Sequence, residues 1–297
     1  MKAFKKVTPN RLRLFVSSTR LGGGGYPAVM NCKATHRKVT AGAISAELLP
    51  RAPYDVAYTP DRVVAGFAFD IQTGLHAFAT DRASPFLTMP DSMALTPAGC
   101  DIRSRSDVGG EYLTVTITPG HEHHYADAFD GAAIYQYSNA AFKGAGTAAR
   151  ALRQLLILNP EEETVAEGLA AVLFEAALKA KPATAKPASS LTRTRMRRLH
   201  DLIEARFGDK LTVLEMAMEV GLSVGFFIRA FAAATGTTPH AYLLERRLSE
   251  ARRSLTRPEA SIADIAHACG FASQAHLTSS FRSQFGITPA AYRVRVA

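Results

Sequence analysis

The chain has few of the residues that mark secreted, membrane-spanning or disulfide-stabilised proteins. Its 297 residues include only three cysteines, Cys32, Cys100 and Cys269, which form neither a CxxC pair nor a disulfide framework. It has no tryptophan, and no apolar run approaches the length that spans a bilayer. The basic start, MKAFKKVTPNRLRLF, lacks the apolar core and cleavage site of a signal peptide. We therefore expect a globular protein of the reducing cytoplasm, with no membrane partner.

Motifs for catalysis and for a resident metal are also missing. FVSSTR and the scattered His and Asp residues share no nucleophile-triad pattern. HEHHY resembles a zinc motif, but HExxH requires a histidine where Tyr125 stands. We interpret it as a loop of solvated histidines after Pro119 and Gly120, and metal binding by His121, His123 and His124 is the alternative. We expect no enzyme activity, catalytic residue, cofactor or resident metal.

What the sequence does have is positive charge, concentrated toward its end. The formal net charge is +9, and the stretch from Arg193 onward has 15 basic against nine acidic residues, a balance of +6. All of those basic residues except Lys210 are arginines, which suit bidentate contacts with phosphate and guanine. The charge favours a polyanionic partner, and an ordinary basic surface is the alternative.

A change in composition divides the chain. KAKPATAKPASS, Lys179 to Ser190, offers nothing to bury and favours an extended linker. Before it, from about Arg20 to Thr118, short apolar stretches alternate with turn dipeptides, as in a β-barrel or sandwich. Within that region, AGFAFDIQTGLHAFAT predicts two strands joined by a turn at Thr73 and Gly74. The fold class expected is α+β multidomain, with an N-terminal domain over residues 1–181, a linker over 182–192 and an all-α C-terminal domain over 193–297.

Two helices are predicted between the β region and the linker. The apolar face of the first contains Ala148, Leu152, Leu155 and Leu156. The apolar face of the second contains Val165, Leu169, Val172, Leu173 and Ala176. The second face needs a partner, which is either the barrel or a second copy of the chain in a homodimer through helices 148–181.

The C-terminal part contains one pattern twice, as GLSVGFFIRAFAAATGTTPHAY from Gly221 and GFASQAHLTSSFRSQFGITPAAYR from Gly270. In each copy a short helix reaches a glycine that can turn left-handed, and a second helix starts at a serine able to cap it. That helix ends at another glycine, shortly before a proline. This is the order of a helix-turn-helix, and HAYLLERRLSEARRSL bridges the two copies. A solenoid without a ligand is the alternative, but it needs more than two repeats.

The stretch from Arg193 to Ala297 resembles the DNA-binding domain of AraC/XylS-type bacterial transcription regulators. The resemblance is carried by LTVLEMAMEVGLS, FFIRAF and TGTTPHAYLLERRLSEARRSL in the first copy, and by SIADIAHACGFASQAHLTSSFRSQFGITPAAYR in the second. It implies two helix-turn-helix units, held rigidly by the bridging helix, that insert their second helices into successive major grooves of double-stranded DNA. It also implies RNA polymerase as a partner.

The same resemblance implies a cupin-like barrel in the N-terminal domain that senses a small-molecule effector or forms a dimer. The stretch FAFDIQTGLHAFATDRASPFLTMPDSMALTPAGCDIRS carries this weaker likeness. Enzymatic cupins have metal-binding histidines, whereas here PAG leads to Cys100 and Asp101, and His36 and His76 stand alone. The function expected is therefore a sequence-specific, effector-responsive transcription regulator and not a metalloenzyme.

Helical geometry separates the residues that face DNA from those in the core. With Phe227 and Phe231 inward, the first recognition helix presents Gly225, Ile228 and Arg229. With Leu277 and Phe281 inward, the second presents Gln274, Ala275, His276, Thr278, Ser279 and Arg282. Arg229 can pair with guanine and Gln274 with adenine. Because the first helix is poorer in polar residues, we expect the second unit to carry at least as much sequence discrimination.

Four residues at helix starts are further candidates for DNA contact: Thr212, Ser223, Ser261 and Ser273. At such positions backbone N–H groups meet phosphates, but the same residues can simply be helix caps. Two other functions remain open at this point. One is an enzyme or DNA-repair protein that carries an AraC-type DNA-binding domain, and the other is a nucleoid protein that binds any DNA.

Overall fold

The computed structural model describes residues 37–121, 136–140, 142, 144–180 and 191–296. Its first part is β structure, and His123 and His124, Cys32, and most of the predicted linker lie outside the described residues. The strands are β1 (Arg37–Ala41), β2 (Ile44–Leu49), β3 (Tyr54–Tyr58), β4 (Val64–Ala68), β5 (Gln72–Phe78), β6 (Ser84–Thr88), β7 (Ser92–Thr96), β8 (Ile102–Ser106), β9 (Tyr112–Ile117) and β10 (Tyr137–Ala140).

Helices make up the rest of the described chain. They are α1 (Ala145–Leu158), α2 (Glu163–Lys179), α3 (Arg193–Arg206), α4 (Val213–Glu219), α5 (Val224–Thr235), α6 (Pro239–Ser254), α7 (Ile262–Ala268), α8 (Gln274–Phe285) and α9 (Pro289–Val296). In this part of the chain no single helix is long and apolar enough to cross a membrane. Taken together, α4 and α5 are long and apolar enough to cross a membrane by length and composition alone, but the pair is bent by 82°.

The strands form two antiparallel sheets, in agreement with the predicted barrel or sandwich. One sheet has the order β1-β2-β9-β4-β7-β10 and the other β3-β8-β5-β6. Residues of both sheets line one cavity, so the sheets face each other across it.

The two strands predicted in AGFAFDIQTGLHAFAT are present as β4 and β5, but the turn predicted at Thr73 and Gly74 is wrong. These two residues lie inside β5, and the chain crosses from one sheet to the other between Ala68 and Gln72. Gly74 is needed for a different reason: a Cβ there would overlap the carbonyl oxygen of Arg105 on the neighbouring strand. The glycine thus permits close approach of two strands and does not make a turn.

The two predicted helices pack on the six-stranded sheet. Leu152 and Leu156 of α1 and Leu173 and Phe174 of α2 are fully buried in one cluster with residues of β2, β4 and β9. The predicted apolar face of α2 is therefore only partly covered. Leu173 and Ala176 face the sheet, whereas Val165 and Val172 are 50% and 55% exposed.

The duplicated segment folds as two helix-turn-helix units, α4–α5 and α7–α8, with α6 between them. Gly221 and Gly270 stand in the two turns with φ of +65° and +76°, the left-handed region that favours glycine. The predicted inward residues are confirmed, since Phe227, Phe231, Leu277 and Phe281 are fully buried. In the first unit Phe231 also contacts Tyr242 edge-on, at 5.7 Å between ring centroids. The equivalent rings in the second unit, Phe281 and Tyr292, are 5.6 Å apart.

Apolar packing joins each unit to the β part. The core of the first unit includes Ile71, which directly precedes β5, and Leu87 of the edge strand β6. The core of the second unit is continuous with the cluster that contains α1, α2 and the six-stranded sheet. Neither unit therefore has an apolar core of its own that is separate from the N-terminal half.

Buried ion pairs connect the same halves. On the side of the first unit, Arg51 contacts Asp70 at 3.1 Å and Glu204 of α3 at 2.7 Å, and Glu204 in turn contacts Arg246 of α6 at 3.0 Å. Burial alone would lower the pKa of Arg51, but the charges of Asp70 and Glu204 outweigh it, and the pKa is raised. The hydroxyl of Tyr242 also accepts a hydrogen bond from the backbone N–H of Ile71.

On the side of the second unit, Glu111 is the shared partner. It is 1% exposed and contacts both Arg153 of α1, at 2.6 Å, and Arg252 of α6. Arg153 also contacts Glu245 of α6 at 2.5 Å, and Gln284 of α8 donates a hydrogen bond to that carboxylate. The guanidinium groups of Arg153 and Arg252 both lie over the ring of Phe285. This network therefore links sheet, α1, bridging helix and second unit.

Removing the shared carboxylate should loosen this junction. We expect Glu111→Ala to lower the free energy of unfolding by about 3–5 kcal/mol, because it leaves buried guanidinium groups without their carboxylate partner. Urea unfolding monitored by circular dichroism measures it. The matched control is Glu175→Ala, which removes an exposed pair with Lys179 and should cost at most about 0.5 kcal/mol. Equal effects of the two substitutions would mean that the network does not hold the halves together.

Candidate nucleic-acid interface

The first unit is positioned by a capping box at the start of α4. The Thr212 hydroxyl accepts a hydrogen bond from the backbone N–H of Glu215, and the Glu215 carboxylate accepts one from the backbone N–H of Thr212. The backbone N–H and the hydroxyl of Thr212 both donate to the Glu215 carboxylate, and together with a contact from Arg206 they hold the pKa of Glu215 below its usual value. Thr212 is thus a helix cap, as one of the two interpretations predicts, and its hydroxyl is already engaged.

The recognition helix of the first unit, α5, exposes the side that the sequence predicts. Gly225, Ile228 and Arg229 are all exposed, while Phe227 and Phe231 are fully buried. The guanidinium of Arg229 reaches back over the first turn, to 3.8 Å from the place a Cβ would occupy at Gly225. Phe226 is also 43% exposed. The first turn of α5 therefore presents one cation among apolar groups.

The recognition helix of the second unit, α8, exposes a more polar surface. Gln274, Ala275, His276, Ser279 and Arg282 are exposed, and Thr278 is half-buried. Two of these groups are tied to the protein: the His276 ring contacts Phe271 edge-on, and the Ser279 hydroxyl donates to the His276 carbonyl oxygen. Gln274 and Arg282 have no such restraint among the contacts described and carry the polar surface of this helix.

The caps of the remaining three helices differ. Ser261 accepts a hydrogen bond from the backbone N–H of Asp264 at 3.0 Å, and Ser273 accepts one from that of His276 at 3.1 Å. Ser223 occupies the cap position of α5 but makes no side-chain capping hydrogen bond. Its hydroxyl is therefore available to bond a ligand, whereas the hydroxyls of Ser261 and Ser273 are already engaged as caps.

Both recognition helices end against the N-terminal half. A Cβ at Gly236, just after α5, would lie 3.4 Å from the carboxylate of Asp91. One at Gly286, just after α8, would lie 3.2 Å from the side-chain amide of Gln154 on α1. Both helices thus contact the N-terminal half at their C-terminal ends, while their N-terminal halves, which carry all the predicted reading residues except Arg282, face outward. Sequence reasoning did not predict this shared orientation.

Comparison with known proteins finds relatives for this part of the chain. A family profile described as "Helix-turn-helix domain" matches residues 216–295. The HTH-type transcriptional regulator ExsA of Pseudomonas aeruginosa is 32% identical over 103 residues, 35% of this chain and 37% of that protein. The HTH-type transcriptional activator RhaS of Escherichia coli is 37% identical over 87 residues, 29% of this chain and 31% of that protein.

One solved structure is also similar to this part of the chain. A transcriptional regulator from Chromobacterium violaceum, described as AraC-type DNA-binding domain-containing, is 36% identical, with a TM-score of 0.34, over 35% of this chain and 94% of that chain. The chain thus spans about a third of the length of the curated relatives that it matches.

The caps allow a direct test of what these serines do. Ser273→Ala should lower the free energy of unfolding by about 1 kcal/mol, because it removes a capping hydrogen bond. Ser223→Ala should lower it by less than about 0.5 kcal/mol, because no such bond is lost. Urea unfolding of both variants gives the comparison. A larger loss from Ser223→Ala than from Ser273→Ala would contradict these assignments.

Proposed function

We propose that this chain, whose residues 216–295 are a helix-turn-helix domain of the AraC type, binds a specific double-stranded DNA sequence and regulates transcription there. The observation that carries the proposal is the pair of outward-facing helices, α5 and α8, in two units joined by one continuous helix. DNA in the cytoplasm is the target that fits such a pair, since adjacent major grooves recur about every 34 Å.

The residues proposed to read bases differ between the two helices. On α8, Gln274 can bond both edge groups of an adenine, and Arg282, Thr278, Ser279, His276 and Ala275 surround it. On α5, Arg229 can bond guanine, while Gly225 and Ile228 offer close approach and apolar contact. Because α8 presents more hydrogen-bonding groups, we propose that the second unit discriminates sequence at least as well as the first.

Phosphate contacts are proposed at the helix starts. Backbone N–H groups at the first turns, together with the positive end of the helix dipole, bind phosphate oxygens. Thr212, Ser261 and Ser273 would contribute through these backbone groups because their hydroxyls are engaged, whereas Ser223 can also offer its hydroxyl.

Regulation by a small molecule is proposed through the cavity between the sheets. Phe86 lines that cavity, and its carbonyl oxygen accepts a hydrogen bond from Arg197 of α3 at 3.1 Å. Gln72 also lines it, two residues after Asp70 of the ion network. A ligand that moves these strand ends would change how both units are held. The effect is limited by the difference in the ligand's affinity for the two arrangements.

RNA polymerase is proposed as the second macromolecular partner, because RhaS and other relatives are named as transcriptional activators. A regulator that acts at a promoter changes the occupancy or the activity of the polymerase there. The exposed apolar side chains on the first unit, Leu214 and Met218 of α4, are available for such a contact.

The alternative function is an enzyme or DNA-repair protein that carries this domain. It would need a reactive thiol or a metal site. Within the described residues, no group of three or more His, Cys, Asp and Glu side chains could hold a metal ion. Burial raises the pKa of the Cys269 thiol to about 12, and burial and the charge of Asp101 raise that of Cys100, whereas reactive thiols have lowered pKa values. The relatives named as regulators favour a regulator over an enzyme.

Base preference provides the test of the DNA-binding proposal. Gln274→Ala should relax selection at one operator position that carries adenine, and Arg229→Ala at one that carries guanine, each by about 1–3 kcal/mol of discrimination. Competitive binding to a randomised operator library measures both. The control is Arg257→Ala, an exposed arginine outside the recognition helices, which should weaken binding evenly and leave the preference unchanged.

Two results would contradict this assignment. If Gln274→Ala leaves the preference unchanged while Arg229→Ala abolishes it, the second unit is not the stronger reader. If footprinting shows uniform protection of all DNA, the chain is a non-specific nucleoid protein. Loss of affinity with added salt is expected in either case.

A homodimer through α2 is also proposed. Val165 and Val172 are half-exposed on one face, and between them Gly168 leaves open space where a side chain would be. The apolar face of α1 is covered by the sheet and the second unit, so only α2 of the predicted pair offers a seam.

Sedimentation velocity tests this contact. Val172→Lys should convert a dimer to a monomer, because it buries a charge in an apolar seam. Glu161→Lys, a charge change just before α2, should leave the dimer intact. A sedimentation coefficient that is unchanged by Val172→Lys would exclude α2 as the seam.

A further inference from the structure

The side chains that line the cavity between the sheets indicate which kind of ligand it prefers. Its volume is about 360 Å³, within the range of about 300–1,000 Å³ that holds small ligands. It is lined by residues of both sheets, and its aromatic walls consist of Tyr54, Tyr58, His76, Phe78, Phe86 and Tyr112. Such a concentration of rings favours a flat, apolar guest.

The rings are held in place by specific contacts. His76 stacks on Phe86 with centroids 5.0 Å apart and an interplanar angle of 18°, and it meets Phe78 edge-on at 4.8 Å. Tyr112 lies across β4 at Gly66, where a Cβ would overlap its hydroxyl. Because Gly66 has no side chain, the ring of Tyr112 can line the cavity instead of being pushed away from it.

The charge of the lining opposes an anionic ligand. Among the described lining residues there is no lysine or arginine, and the one carboxylate is Glu47. Burial, and secondarily the charge of Arg193, lowers the pKa of His76, so its ring is neutral near pH 7. A carboxylate or phosphate placed here would lose its hydration without gaining a cationic partner.

One buried amide points to the polar group that the ligand must carry. Gln72 is 5% exposed and lines the cavity, and its Nε2 has no hydrogen-bond acceptor among the described residues. The side chain is packed against Gly110, where a Cβ would collide with it. A buried N–H donor without an acceptor is unfavourable. The Nε2 atom has almost no accessible surface of its own, so a ligand oxygen that the amide turns to meet would stabilise the complex. An ammonium group has no acceptor to offer.

We infer that this cavity binds a small, uncharged aromatic molecule with a carbonyl or hydroxyl oxygen, whose ring packs among the aromatic walls and whose oxygen accepts a hydrogen bond from Gln72. The inference names the ligand class for the regulatory response and rests on the proposed function only for that biological role. Binding itself is a property of the N-terminal half and can be measured without DNA.

Four probes of similar size separate the contributions. Benzamide has the ring, the neutral charge and the oxygen, benzoate adds a negative charge, benzylammonium adds a positive charge, and cyclohexanecarboxamide lacks the aromatic ring. Calorimetric titration of the full chain should give benzamide a Kd at least about tenfold below each of the other three. The inference is overturned if any of the other three probes binds as tightly as benzamide, or if benzamide does not bind at tens of millimolar.

Two variants test the role of Gln72. Gln72→Met keeps the size but removes the donor, and it should weaken benzamide binding by about fivefold to tenfold. Gln72→Glu should reverse the charge preference, so that benzylammonium binds more tightly than benzamide. Gln154→Glu, an exposed change on α1, is the matched control and should leave all four affinities unchanged. Unchanged benzamide binding in Gln72→Met would overturn the assignment.

The unliganded melting temperature of each variant shows that the chain still folds. If Gln72→Glu is unfolded, Gln72→Met and the probe series decide the question alone. The outcome is also separable from DNA binding. A chain that binds benzamide but protects no DNA would contradict the proposed function and support the ligand class, and a chain that protects an operator but binds no probe would do the reverse.

Discussion

Buried carboxylates near the ends of two strands hold the helical half of this molecule in place. Asp70 and Glu111 lie side by side, since the backbone N–H of Glu111 donates to the Asp70 carboxylate, and each pairs with arginines that reach the helical half. Buried ion pairs contribute little net stability compared with apolar packing, but they are directional, and breaking one is costly. The apolar clusters supply the attraction between the halves, and the ion pairs fix the orientation of one half relative to the other.

Local rules predicted the duplicated half well. The glycines at both turns, the serine and threonine caps and the buried phenylalanines depend on neighbours within a few residues, and their spacing alone reveals them. Ser223 shows the limit of that reasoning, because the cap position is correct and the capping hydrogen bond is absent. The exposure of Arg229 and Gln274 followed from helical periodicity in the same way.

The β half was predicted only in outline. Local rules predict a turn at Thr73 and Gly74. A glycine is needed at position 74, however, because the backbone of Arg105, about thirty residues later on a neighbouring strand, leaves no room for a side chain. Gln72 and Glu111 gave no signal at all, because their importance comes from burial next to residues that are distant in sequence. The repeated pattern of the C-terminal half could not reveal that both recognition helices end on the N-terminal half, for the same reason. Contacts between remote segments decide these features.

The two tyrosines at equivalent places in the repeat show how far the copies have diverged. Both close the core of their own unit, yet the hydroxyl of Tyr242 accepts a bond from the backbone of Ile71, whereas the ring of Tyr292 lies beneath the guanidinium of Arg37. The internal pseudo-symmetry of the duplicated domain is thus broken where it meets the sheets. Since one copy is anchored through a backbone amide and the other through a cation on β1, a distortion of the sheets can release the copies unequally. The two units are therefore anchored to the sheets by contacts of different kinds.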